Sequence, residues 1–238
     1  MRLPPTAAHV FVDNLDLPVL EPDDAHHLGR VLRLRVGEQL TAADGRGAWR
    51  LCVFSDGGLV APAGEVQRVE PVAVSVAVGF ALTKGDKPEL AVQKLTELGV
   101  DRIVPLAAER SVVRWETDKS ARNVARLRSV ARAAAMQSRR VFPPTIEEVA
   151  TLPAFAAGEP GLALAHAEGE GLDASVTALA IGPEGGWSEV EAAAVPRHVD
   201  LGPTTLRAET AAVAAGVLLT ALRDGRIRPV TESRGSTT

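Results

Sequence analysis

Hydrophobic and polar positions alternate in short runs over the first 70 residues, then give way to longer apolar stretches. The runs 9–12, 38–43, 48–54 and 59–69 favour strands, parted by the turn signals Asp44-Gly45 and Asp56-Gly57-Gly58. One helix is predicted among them. Asp23 or Asp24 caps it, and Ala25, Leu28, Val31 and Leu32 recur at helical spacing. Short strands with a single helix predict a small β-barrel, with Glu70-Pro71 as the linker that follows it.

Beyond the linker, 72–82 is a continuous apolar run of the kind that suits a strand buried on both faces. A helix is predicted over 86–98, on Leu90, Lys94, Glu97 and Leu98, with Gly99 at its stop. A strand over 101–107 and a long helix over 118–137 follow, the helix with Ala121, Val124, Leu127, Val130, Ala131 and Ala134 on its apolar face. Strands are predicted at 162–166, 176–181 and 199–201, then an alanine-rich helix at 209–222. Such alternation implies a mainly parallel α/β sheet. The expected domains are 1–70 and 71–230, followed by a polar tail, 231–238, that reads as disordered.

Composition adds limits. A chain of 238 residues, 46 % hydrophobic and 24 % charged, has the makeup of a globular protein able to bury a core without disulfides. Cys52 is the lone cysteine and no Cys/His group has zinc-ligand spacing, so no metal is expected. With no leader-like start and no membrane-length apolar run, a cytoplasmic protein without membrane contact is expected. The net charge of −4 speaks against nucleic acid, but its distribution does not: residues 1–70 carry −3 and residues 110–140 carry +7. That basic stretch reads either as a phosphate footprint or as a solvated helix face.

The chemistry concentrates in two segments. Ile181-Gly182-Pro183-Glu184-Gly185-Gly186-Trp187-Ser188 follows a predicted buried strand. Adjacent glycines there let the backbone approach a ligand and offer it N–H donors, at the strand end where open α/β sheets bind ligands. Ser188 is placed to cap a helix from Glu189, with Glu191 at the capping-box position. The glycine spacing is neither a dinucleotide fingerprint nor a P-loop, and an ordinary glycine turn is the plainer alternative. The second segment is Leu201-Gly202-Pro203-Thr204-Thr205-Leu206-Arg207-Ala208-Glu209-Thr210-Ala211. It puts Arg207 and Glu209 at a loop–helix junction, where they face a ligand or form a structural salt bridge and cap.

Together with these segments, four further stretches resemble a known family. They are His26-His27-Leu28-Gly29-Arg30-Val31-Leu32-Arg33 with Gly37; Lys84-Gly85-Asp86-Lys87; Lys94, Glu97-Leu98-Gly99-Val100 and Glu109-Arg110-Ser111; and Gln137, Arg140 and Pro144. In order and spacing they are similar to the bacterial 16S rRNA uridine-N3 methyltransferases of the SPOUT superfamily, over nearly the whole chain. Met136 departs from that family's glutamate, and Thr204-Thr205 from its Arg-Ile pair. The resemblance implies a PUA-like β-barrel for RNA, then a SPOUT α/β domain with a C-terminal deep trefoil knot, a feature no periodicity reveals. It also implies S-adenosyl-L-methionine (SAM) as cofactor, a homodimer, and action on 16S rRNA in the assembled small ribosomal subunit near the decoding site. On this mapping the cofactor is expected at Leu164 and His166, at Ile181, Gly182, Glu184, Gly185 and Gly186, and at Leu201, Gly202, Thr205 and Leu206.

Methylation at uridine N3 needs an exposed base and a departing proton. Arg207 is the candidate for steadying the developing anion, because paired guanidinium donors match a uracil edge. Glu209 is the candidate base, or the residue that orients Arg207. Arg33, Arg110, Arg114, Arg139 and Arg140 are candidates for RNA contacts. Two other readings stay open: a non-catalytic RNA-binding or ribosome-assembly factor on the same scaffold, and a SPOUT methyltransferase for another RNA such as tRNA.

Overall fold

The computed structural model describes residues 3–228, so the predicted tail 231–238 lies outside the described residues. It divides into two compact units, Met1–Ala73 with Ala131–Pro143, and Val74–Val130 with Pro144–Thr238.

The first unit carries β1 (Ala8–Phe11), α1 (Pro22–His26), β2 (Gln39–Ala43), β3 (Ala48–Phe54), β4 (Val60–Pro62) and β5 (Gln67–Arg68). β1 pairs with β2 in parallel, and β3 pairs antiparallel with β2, β4 and β5. The Asp44-Gly45 signal closes the β2–β3 hairpin: Asp44 Oδ1 accepts from the N–H of Arg46 (2.7 Å) and of Ala48 (3.0 Å). The strand expected over 59–69 is two short ones, β4 and β5. The predicted helix begins earlier than expected, with Glu21 as N-cap and Pro22 inside the first turn. It then widens into a π-helical turn, His27–Val31. Extra residues in that turn break the expected apolar stripe: Leu28 is buried, while Val31 and Leu32 are 60 % and 47 % exposed.

Val10, Leu28, Leu40, Cys52 and Phe54 form the main core of this unit. Burial raises the Cys52 thiol, keeping it protonated and inert. A second cluster corrects the expected domain boundary. Residues 131–143, expected in the second domain, supply Ala135 and Val141 to a cluster with Phe11, Ala43 and Trp49. Met136 packs against both clusters, so a thioether suits a position where the resembling family carries a carboxylate.

The second unit carries β6 (Ala77–Ala81), α2 (Lys87–Leu98), β7 (Arg102–Leu106), most of α3 (Thr117–Gln137), β8 (Thr145–Ile146), α4 (Leu152–Gly158), β9 (Leu162–Glu170), β10 (Ala178–Ile181), α5 (Glu189–Ala193), β11 (His198–Val199) and α6 (Ala208–Arg223). The six strands form a parallel sheet in the order β11-β9-β10-β6-β7-β8. β6 and β10 are buried at every position, as their continuous apolar sequence requires. α2 ends where predicted, at Gly99 in the left-handed conformation (φ 92°). Its buried stripe is Ala91, Val92, Leu95 and Thr96, whereas Leu90 of the predicted face is 45 % exposed. The reason is α6: Gly216 lets it come so close that an added Cβ would lie 2.7 Å from Leu95. Among the described residues no helix is long and apolar enough to cross a membrane.

β9 extends past its predicted end to Glu170. β11 pairs with it at Leu164 and next at Glu170, so the intervening residues leave the ladder. Gly169 lies there against bare backbone: a Cβ on it would fall 2.4 Å from the carbonyl carbon of Val199.

Candidate functional site

Phe80 of β6 is in register with Pro105 of β7 and Ile181 of β10. The loops that follow these parallel strands therefore leave from one end of the sheet. Ser111 Oγ donates to the Leu82 carbonyl at 2.7 Å, tying the loop after β7 to the end of β6. Glu191 makes the second tie. One of its carboxylate oxygens accepts from the Ser188 N–H and the other from the Glu109 N–H, both at 2.9 Å. Ser188 Oγ accepts from the Glu191 N–H at 3.2 Å, completing the predicted capping box. A carboxylate buried to 3 % exposure is thus satisfied by backbone donors near a helix start.

These ties hold the glycine loop. Gly186 takes a left-handed φ of 67°, and its N–H donates to the Pro183 carbonyl at 2.8 Å. The indole of Trp187 closes over Gly182, where an added Cβ would lie 3.1 Å from Nε1. Glu184, Gly185 and Gly186 are exposed, and Ile181 is buried beneath them. Arg110 stands beside Gly185, its guanidinium donating to the Gly185 carbonyl at 3.4 Å.

Lys87 links this loop to α6. Its Nζ is 3.6 Å from Glu184 Oε1 and 3.5 Å from Glu209 Oε2. The Glu209 side chain is only 16 % exposed, and its buried Oε2 has no hydrogen-bond partner. Lys87 therefore balances the Glu209 charge without a hydrogen bond. Arg207 is the exposed N-cap residue of α6, and its side chain makes no capping bond. The structure thus gives Glu209 a lysine partner and leaves Arg207 facing solvent. Lys87 was visible in the Lys84-to-Lys87 motif, but nothing in one sequence joined it to Glu209.

The remaining cofactor candidates lie on two further segments. Leu164 is buried in β9, while His166 is exposed and accepts from the Glu168 N–H at 3.2 Å. The His166 ring lies 5.3 Å from that of His198. A cavity of about 480 Å³ opens here, lined by Glu168, Gly169, Glu170, Pro196, Arg197 and His198. Gly202, at φ 141°, donates to Asp200 Oδ1 at 2.9 Å, and Gly202 and Thr205 are exposed between half-buried Leu201 and Leu206.

The basic stretch is more neutral in space than in sequence. Along α3, Arg126 pairs with Glu89, Arg128 with Glu148 (2.8 Å) and Arg132 with Asp24 (2.7 Å). Among the candidate RNA contacts, Arg110 and Arg114 are exposed on the loop after β7. Arg33 is exposed and left-handed (φ 54°). Arg139 is occupied, donating to the Pro4 carbonyl (2.8 Å) and Thr6 Oγ1 (2.9 Å). Arg140 accepts at its carbonyl from His9 Nε2 (3.1 Å). Among the described residues no three His, Cys, Asp or Glu side chains are grouped to hold a metal ion.

Comparison with known proteins places both units. An RNA methyltransferase domain family matches residues 70–220, and an RNA methyltransferase PUA domain matches residues 20–58. Ribosomal RNA small subunit methyltransferase E of Mycobacterium tuberculosis is 36 % identical over 231 residues, covering 86 % of this chain and 88 % of that protein. The Bacillus subtilis protein of the same name is 30 % identical over 216 residues, covering 79 % and 84 %. A Legionella pneumophila methyltransferase solved with its cofactor SAM bound superposes with a TM-score of 0.79 at 28 % identity, covering 90 % of this chain and 96 % of that one.

Proposed function

The chain belongs to the RNA methyltransferase family of ribosomal RNA small subunit methyltransferase E, and on that footing we propose that it transfers a methyl group from SAM to N3 of a uridine in 16S rRNA. The proposed substrate is the assembled small subunit near the decoding site, and the working form is a homodimer. Half-exposed Leu90 and Val217 on α2 and α6 are apolar surface that a second copy would cover.

The observation that carries this reading is the meeting of bare glycine backbone with an unsatisfied carboxylate at one end of a parallel sheet. Gly185 and Gly186 are exposed and carry no side chain of their own between the backbone and a ligand. A Cβ at Gly185 would meet Arg110 at 3.4 Å, an ordinary contact, whereas Gly186 holds a left-handed φ of 67° that side chains rarely adopt. Glu209 has a buried oxygen that lacks a hydrogen-bond donor. The glycine backbone fits an adenosyl ligand, and the carboxylate without a donor fits a group that takes up a proton beside it. In this proposal Leu164, His166, Ile181, Gly182, Glu184 to Gly186, Leu201, Gly202, Thr205 and Leu206 hold SAM. A C-terminal deep trefoil knot is part of this proposal.

When bound, SAM supplies an electrophilic methyl group on a sulfonium. The chain's own residues prepare the base. Arg207, exposed and free of a capping bond, offers paired donors to the uracil carbonyl edge and steadies the anion left when N3 loses its proton. Glu209 receives that proton, and Lys87 at 3.5 Å holds the carboxylate in place. Arg33, Arg110, Arg114 and Arg140 contact the RNA.

The test is transfer of labelled methyl from SAM to small subunits lacking the modification, followed by digestion to nucleosides. Label in 3-methyluridine is the expected result. Label on tRNA or on another base keeps the methyltransferase and discards the target. No transfer to any RNA leaves a binding factor on the same scaffold.

A further inference from the structure

The first unit holds a cavity of about 540 Å³ between β1, the α1 helix with its π turn, and the end of α3. Leu28, Leu32, Ala133 and Met136 make its walls apolar, and its volume lies in the range of small-ligand sites. We propose that this cavity receives one unpaired base of the RNA strand, while Arg30, Arg33 and Arg35 hold the flanking phosphates outside it. The inference rests on the reading of the protein as one that acts on RNA.

Charge decides which part of a nucleotide enters. Asp23 and Asp24 both line the cavity. Arg132 neutralises Asp24 at 2.7 Å, but Asp23 is exposed and would repel a phosphate brought inside. A neutral heterocycle meets no such penalty. The inner wall is neutral as well. His9 is buried, with Nε2 donating to the Arg140 carbonyl (3.1 Å) and Nδ1 accepting from the Thr41 hydroxyl (2.8 Å). At the mouth, the exposed Gln137 amide offers both a donor and an acceptor, as a base edge requires.

The positive charge lies just outside. Arg30, Arg33 and Arg35 are exposed in the same segment that gives Leu28 and Leu32 to the walls, and none forms an ion pair among the described residues. Backbone strain falls in the same region. Arg33 (φ 54°) and Arg139 (φ 58°) are the non-glycine residues with positive φ among those described; one follows Leu32 and the other lines the cavity. Because the Arg139 guanidinium is bound to Pro4 and Thr6, it builds the wall and is not a phosphate clamp. With 3 % aromatic residues and no tyrosine, the chain has little to stack on, and an aliphatic slot is the alternative way to grip a base face.

The test uses the whole protein and a fluorescent single-stranded RNA of mixed sequence. Ala133→Trp fills the cavity from an exposed helix position, and Ala133→Ser leaves it open. Ala133→Trp is expected to weaken RNA binding about tenfold or more, with Ala133→Ser close to wild type and SAM affinity unchanged in both. A copy of the RNA lacking bases but keeping its sugar-phosphate chain should bind wild type and Ala133→Trp equally. Equal loss for normal and base-free RNA, unchanged RNA affinity in Ala133→Trp, or failure of wild type to bind single-stranded RNA would each overturn the proposal. Methyl transfer by wild type to small subunits, measured separately, shows whether the parent reading stands when this one fails. Should Ala133→Trp lose its thermal transition, Ala133→Leu, a smaller neutral group that narrows the cavity from the same exposed position, is expected to give the same selective loss. Normal RNA binding by that variant would overturn the proposal.

Discussion

Lys87 Nζ stands 3.5 Å from Glu209 Oε2 and 3.6 Å from Glu184 Oε1, so a single ammonium serves both the glycine loop and the start of α6. Glu209 is the more buried partner, at 16 % exposure against 62 % for Glu184, and depends on it more. Replacing Glu209 by Gln keeps the shape and removes the proposed base. The expected outcome is a fall in kcat of about a hundredfold or more, with SAM affinity by calorimetry little changed. Normal turnover would remove Glu209 from the reaction. Lys87→Met leaves a mostly buried carboxylate unbalanced, and turnover should fall further than in Lys87→Arg, which keeps the positive charge beside it.

Arg207→Ala removes an exposed side chain that caps nothing, so the fold should be indifferent to it. Melting temperature and SAM affinity are expected to match wild type, and turnover to fall by about a hundredfold. Near-normal turnover would show that the anion is steadied elsewhere.

At Gly185 a branched side chain would enter the space in front of the loop and press on Arg110, whose Cβ is 3.4 Å from the ideal Cβ position. Gly185→Val should therefore abolish SAM binding while far-ultraviolet dichroism and the thermal transition persist. SAM binding at wild-type affinity would place the cofactor away from this loop.

Gly169→Ala tests the close backbone approach of β9 and β11. The new methyl would lie 2.4 Å from backbone that cannot rotate away. A loss of about 2 kcal/mol or more in unfolding free energy is expected, larger than for Gly171→Ala, where nothing lies within 4 Å.

His9 gives a pH signature. Burial first of all, with nearby Arg139 adding to it and the Arg140 carbonyl opposing, lowers its pKa from 6.5 to about 4. The unfolded chain therefore binds the proton more readily, so stability is whole above pH 6.5 and is lost as the pH falls towards 4. The slope approaches about 1.4 kcal/mol per pH unit, about 3 kcal/mol over the window. Urea denaturation from pH 7 to pH 4 should show this component in wild type and lack it in His9→Gln.

Periodicity made the second unit legible because its strands are continuous apolar runs and its α2 helix ends on Gly99, signals that survive without tertiary knowledge. It misplaced the buried stripe of α2, since Leu90 or Leu95 becomes core only once α6 has chosen its side. The π turn after α1 was hidden for a related reason: no local pattern distinguishes a widened turn from a regular one. The glycine loop and its capping box could be read directly, being local in sequence. The ion pairs of α3 could not, because Asp24 and Glu148 come from distant stretches, and the apparent +7 footprint is partly spent on them.

The return of Ala131–Pro143 to the first unit sets a schedule for synthesis. A nascent chain that has just reached Ala73 lacks Ala135 and Val141, and Trp49 and Phe11 wait uncovered for them. About 70 more residues must emerge, several seconds at roughly 5–20 residues per second. By then β6, α2 and β7 have already appeared, so the amino-terminal unit is begun first and completed only after the second unit has started to emerge.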